Sequence, residues 1–78
     1  ENETAKKCFE TALNLNPHSS QACAGLGEVL FLDEKDDQAK TMFEWGLKNN
    51  PANQFAQTGL EKVNQNLGLE DLHVSYMN

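Results

Sequence analysis

The 78-residue chain carries a formal net charge of −6, with six basic side chains, all of them lysine, against twelve acidic ones. Phosphate backbones and anionic membrane surfaces select clustered positive charge, so this balance speaks against nucleic-acid and membrane partners. The length suffices for one small domain, whose core is marginal without staples, metals or neighbouring repeats; the longest apolar run, Val29–Leu32, is far too short to cross a bilayer.

The chain opens on Glu1-Asn2-Glu3-Thr4, which has no signal-peptide character and reads as an internal cut. From there to residue 16, Ala5, Cys8, Phe9, Ala12 and Leu13 fall at i, i+3, i+4, i+7 and i+8, one face of a helix. Pro17 cannot continue that helix and biases its predecessor away from helical backbone. Ser19 or Ser20 then offers an oxygen to the orphan N–H groups of a second helix, 19–32, striped by Ala22, Cys23, Leu26, Val29, Leu30 and Leu32. Asp36 takes the capping role before a third helix, 36–49, with Ala39, Met42, Phe43, Gly46 and Leu47 on one face. After Pro51, Asn53 caps a fourth, 53–67, carrying Phe55, Ala56, Leu60, Val63 and Leu67. Residues 68–78 keep a faint echo of the pattern and read as a short degenerate helix or a C-terminal tail. Loops of about two to four residues turn consecutive helices antiparallel, so the fold class is all-α, built of helical hairpins.

Internal repetition organises these elements. Displaced by 34 positions, Ala5 falls on Ala39, Phe9 on Phe43, Leu13 on Leu47, Asn16 on Asn50 and Pro17 on Pro51. Further along, Ala22 falls on Ala56, Gly25 on Gly59, Leu26 on Leu60 and Val29 on Val63. The matches concentrate where packing and turns make demands. Gly27 and Ala39 are read as small for close approach of helix backbones, and Phe43 as filling the space between adjacent hairpins.

Leu26-Gly27, Ala39, Phe43 and Pro51 together resemble one tetratricopeptide repeat. On that resemblance, residues 1–17 are the second helix of a preceding repeat, 18–51 one complete repeat, and 52–67 the first helix of a following one. It implies hairpins stacked as a right-handed superhelix, an α-α solenoid. Departures are Cys23 at a position usually bulky, Glu34 at the usual loop glycine, Asp36 at an aromatic, and Glu61 at the small position after Leu60. The family lines a concave groove with the first helix of each repeat; by position, that groove takes Gln21, Ala24, Glu28 and Phe31, then Phe55, Thr58, Lys62 and Gln65. Of the residues at the family's carboxylate-clamp positions only Lys62 has the chemistry, so a carboxylate clamp is not expected, and an extended or helical peptide fits better.

Chemical sites are weakly represented. Asp33-Glu34-Lys35-Asp36-Asp37 fails the calcium-loop pattern, with Lys35 at the third position and Gln38 at the sixth, where glycine belongs. His18 and His73 lack a partner at catalytic spacing, and Cys8 and Cys23, fifteen residues apart, form no zinc cluster and read as small core residues. Gly25 and Gly27 sit inside a helical pattern and make no phosphate loop. Trp45 either packs on the neighbouring hairpin or anchors a partner; Tyr76 and Met77 are similarly placed for either.

The functional expectation is a non-catalytic protein–protein interaction module that binds a protein or peptide segment in the groove, with no cofactor and no metal. Alternatives are a structural module that forms a homo-oligomer through its open repeat ends, with Phe9 or Tyr76 buried against another copy, and a regulatory appendage of an enzyme in the same full-length chain. The free cysteines and the lack of a signal favour a cytoplasmic location.

Overall fold

A computed structural model describes residues 2–68; the expected degenerate helix or tail, with His73, Tyr76 and Met77, lies outside the described residues apart from Gly68. Four helices follow one another: α1 Asn2–Leu15, α2 Ser20–Leu32, α3 Asp36–Asn49 and α4 Gln54–Leu67. No strand occurs among the described residues. α1 packs on α2, α2 on α3, and α3 on α4, while α2 also lies beside α4. The element shared by most of these contacts is α2, the most apolar of the four, and it contributes most of the buried side chains.

Two helices begin one residue later than expected because their first residues are caps. Ser19 is extended and its side chain accepts from the Ala22 N–H at 3.1 Å; Asn53 does the same for Ala56 at 3.2 Å. Their backbones agree closely, φ −72°, ψ 103° at Ser19 and φ −71°, ψ 105° at Asn53. The turns before them also correspond. The Asn16 side chain accepts from the His18 N–H at 3.1 Å, as Asn50 accepts from Ala52 at 3.1 Å. The backbone bonds Asn16 to Ala12 and Asn50 to Gly46 both measure 2.9 Å. The 34-residue period is therefore present in hydrogen-bond geometry as well as in residue type.

The α2–α3 turn is built differently. Asp36 does not cap α3: the helix already includes it, Lys35 takes the N-cap position with no side-chain bond, and Asp36 Oδ1 is buried without a hydrogen-bond partner. Asp36 and Asp37 instead place negative charge in the first turn, where the helix dipole favours it. Glu34 adopts φ 63°, a left-handed backbone that costs a non-glycine residue about 1–2 kcal/mol. Gly68 closes α4 in the same left-handed region, and its N–H reaches back to the last turn.

The core gathers Ala24, Leu26 and Leu30 from α2, Ala39 and Phe43 from α3, and Ala56 and Val63 from α4. Phe43 lies at its centre, 3% exposed. A Cβ on Gly27 would stand 2.8 Å from the Phe43 ring, and one on Gly59 would overlap the same ring. Gly25 relates to Phe9 as Gly59 does to Phe43. These glycines thus make room for aromatic rings, a correction to the expectation of close backbone approach. Backbone approach belongs to Gly46, whose added Cβ would lie 3.3 Å from the Ser20 carbonyl oxygen.

Two core expectations fail. Cys8 is exposed, because the face of α1 turned to α2 runs through Ala5, Phe9 and Ala12. Leu32, the last residue of α2, is 62% exposed.

Candidate functional site

Two open grooves flank α2. The first, about 500 Å³, runs between α2 and α4 and is lined by Glu28, Phe31, Leu32, Phe55, Thr58 and Lys62, with Phe43 and Gly59 at its floor. Five of the eight sequence-expected residues meet here: Glu28, Phe31, Phe55, Thr58 and Lys62. Helical spacing explains the meeting, because Glu28 and Leu32 on α2, and Phe55, Thr58 and Lys62 on α4, lie three or four residues apart on one face each.

The chemistry of this groove is apolar with two opposite charges. Phe55 is 74% exposed, an aromatic ring turned to solvent at the first turn of α4. Leu32 adds a second exposed apolar side chain from the opposite wall. Glu28 and Lys62 are both exposed along the groove, one acid and one base available to orient a polar backbone or side chain.

Gln21 and Ala24 line a second groove, between α1 and α2, which also takes in Glu28 and Phe55. Ala24 is itself buried and joins the core, so it shapes the wall more than it offers contact area. Gln65 is exposed on α4 and lines neither groove. Sequence reasoning missed Leu32 because its place in the apolar stripe read as core; its spacing of four from Glu28 was the available signal.

Trp45 sits on the outer surface, 43% exposed. Its indole N–H points to the Pro17 carbonyl oxygen at a long 3.4 Å, and the Lys48 ammonium lies 5.1 Å from the ring centroid. The ring thereby braces the α1–α2 turn against α3, and the cation over its face adds about 0.5–1 kcal/mol at such an exposed site.

Cys23 is buried, and burial pushes its thiol pKa up by penalising the thiolate. A thiol held neutral is a poor nucleophile. Among the described residues no cluster of three or more His, Cys, Asp or Glu side chains has the geometry to hold a metal ion, and no helix is long and apolar enough to cross a membrane.

Comparison with known protein families, with curated proteins and with solved structures found no match to this chain.

Proposed function

We propose that the chain is a segment of a tetratricopeptide-type array and works as a non-catalytic protein-interaction module. In this reading residues 1–17 supply the second helix of one repeat, 18–51 a complete repeat and 52–67 the first helix of the next, stacked as a right-handed superhelix. The groove between α2 and α4 takes an extended or helical segment of a partner protein. Phe55 and Leu32 grip apolar side chains of that segment, while Glu28 and Lys62 fix its polar groups. The observation that carries this reading is the Phe55 ring, 74% exposed beside a groove that already has apolar walls. A large aromatic exposed to this degree contributes little to the fold but contributes strongly when a partner desolvates it. The recurrence of the same caps and turn hydrogen bonds at 34 residues supports the repeat assignment.

The test is selection of peptides from a displayed random library against the chain, followed by chemical-shift mapping with the best binder. Shifts should centre on Glu28, Phe31, Phe55 and Lys62, and Phe55→Ala should weaken binding by tenfold or more, about 1.4 kcal/mol, without lowering the unfolding midpoint. Shifts confined to the outer face around Trp45, or a Phe55→Ala variant that binds normally, would remove the groove assignment.

A further inference from the structure

The 34-residue period divides the positions of α2 and α4 into two sets. Ala22, Gly25, Leu26 and Val29 recur as Ala56, Gly59, Leu60 and Val63, and all eight are buried or half-buried. Interleaved with them, Gln21 gives way to Phe55, Glu28 to Lys62 and Phe31 to Gln65. All of this second set except the half-buried Phe31 are exposed. Packing fixes the first set and leaves the second open to another demand. Glu28 and Lys62 share one position of the period, so a groove that kept the period would set like charges against each other; this one sets an acid against a base.

The register of the two helices follows from Phe43. A Cβ on either Gly27 or Gly59 would meet the same ring atom, Cε1, so the two glycines stand level. Gly46, one turn of α3 away, faces Ser20 and Cys23 in the first turn of α2 and Ala56 in the first turn of α4. Both helices therefore run antiparallel to α3 and parallel to each other. At 1.5 Å per residue, Phe55 lies about 6 Å behind the shared level on α4, and Phe31 about 6 Å ahead of it on α2, with Leu32 beside it. Glu28 and Lys62, one and three residues ahead of the level, fall between these apolar ends on opposite walls of the groove of about 500 Å³. Among the described residues neither charge has an ion-pair partner.

We infer, building on the interaction-module reading, that the groove takes an amphipathic helix whose two flanks carry opposite charge. Lys or Arg stands on the flank facing α2, and Asp or Glu on the flank facing α4. Apolar side chains at i and i+7 of such a helix lie about 10 Å apart, a span that reaches from Phe55 to the Phe31–Leu32 end. The side chains on its flanks then face Glu28 on one wall and Lys62 on the other. An extended segment fits this division of charge less well. Its edges each present both N–H and C=O groups, so it calls for no acid on one wall and base on the other.

Two displayed libraries test the assignment, one randomised over the surface of a single helix in a helical-hairpin scaffold, the other of unstructured random peptides. Each is selected against the chain and against its Glu28→Lys/Lys62→Glu variant, which keeps the net charge. The helix library should give binders at least tenfold tighter than the peptide library, with a base on one flank and an acid on the other. Selection against the variant should exchange the two. The variant should bind the parent helix at least tenfold more weakly, exchanging the charges of that helix should restore binding, and the unfolding midpoint should not move. Flank charges that do not exchange, equal binding by chain and variant, or binders from the peptide library alone would overturn the helix assignment and leave the interaction reading in place. A lowered midpoint in the variant would overturn it by assigning both charges to the fold. Enrichment from neither library would remove the interaction reading as well. Self-association lost in Phe55→Ala would overturn the assignment in favour of a second copy, and shifts at Phe55 and Lys62 on removal of residues 69–78 would overturn it in favour of that segment.

Discussion

Phe9 and Phe43 stand 34 residues apart, each over a glycine of the following helix, yet only Phe43 is buried. Phe43 meets two helices, at Gly59 of α4 and at Gly27 of α2. Phe9 has Gly25 of α2 and open groove opposite. The same local sequence therefore makes a finished core in one hairpin and half of one in the other. Burial here belongs to the neighbouring helix as much as to the residue.

Truncating the two rings sharpens this contrast most. Phe43→Ala should cost about 3–5 kcal/mol, enough to unfold so small a chain, whereas Phe9→Ala should cost about 1–2 kcal/mol, in line with its partial burial. Urea unfolding of both variants measures the gap. Equal costs would mean that the two environments are equivalent and the groove beside Phe9 is closed.

The caps provide the next comparison. The Asn53 side chain accepts from Ala56 and also donates to Ser20, while the Ser19 side chain makes only the capping bond among the described residues. Asn53→Ala should lose about 2 kcal/mol, a cap plus a partly buried hydrogen bond, and Ser19→Ala about 1 kcal/mol. The double variants with Ser20→Ala separate the terms: Ser20→Ala should add less to Asn53→Ala than to Ser19→Ala, because the first pair shares a bond. Full additivity in both would mean that the bond from Asn53 to Ser20 contributes nothing to stability.

The cysteines give the smallest effect. Cys8 is exposed on the open hairpin and Cys23 is enclosed by the finished one. A thiol reagent should modify Cys8 at the rate of a free thiol and Cys23 only as fast as the fold opens. Burial raises the Cys23 pKa, so the native state holds that proton more tightly than the unfolded state. Its linkage contribution is constant below the ordinary thiol range. As pH rises through that range the unfolded thiol ionises first, and stability falls. Cys23→Ala should remove that alkaline decline, and persistence of the decline would assign it to another group.

Much of this was legible from residues alone. Pro17 and Pro51 end helices for reasons local to their rings, and all four helices fall within one residue of their expected ends. Five of the eight residues that the family resemblance assigns to a groove line one opening between α2 and α4. Asp36 misled because an acidic residue near a helix start serves either as a cap or as first-turn charge, and only the path of the α2–α3 turn selects between them. Gln65, assigned by the same resemblance, is exposed on α4 and lines neither opening.

The chain's own chemistry determined helix limits, the Ser19 and Asn53 caps, the two proline turns and the 34-residue period, since each depends on bonds and sterics among near neighbours in sequence. Tertiary packing alone decided that Gly27 and Gly59 enclose a ring, that Cys8 and Leu32 face solvent, and that Phe9 lacks the cover given to Phe43. Those outcomes depend on which helix lies across a face, and residues far apart in sequence settle that only when the layers meet.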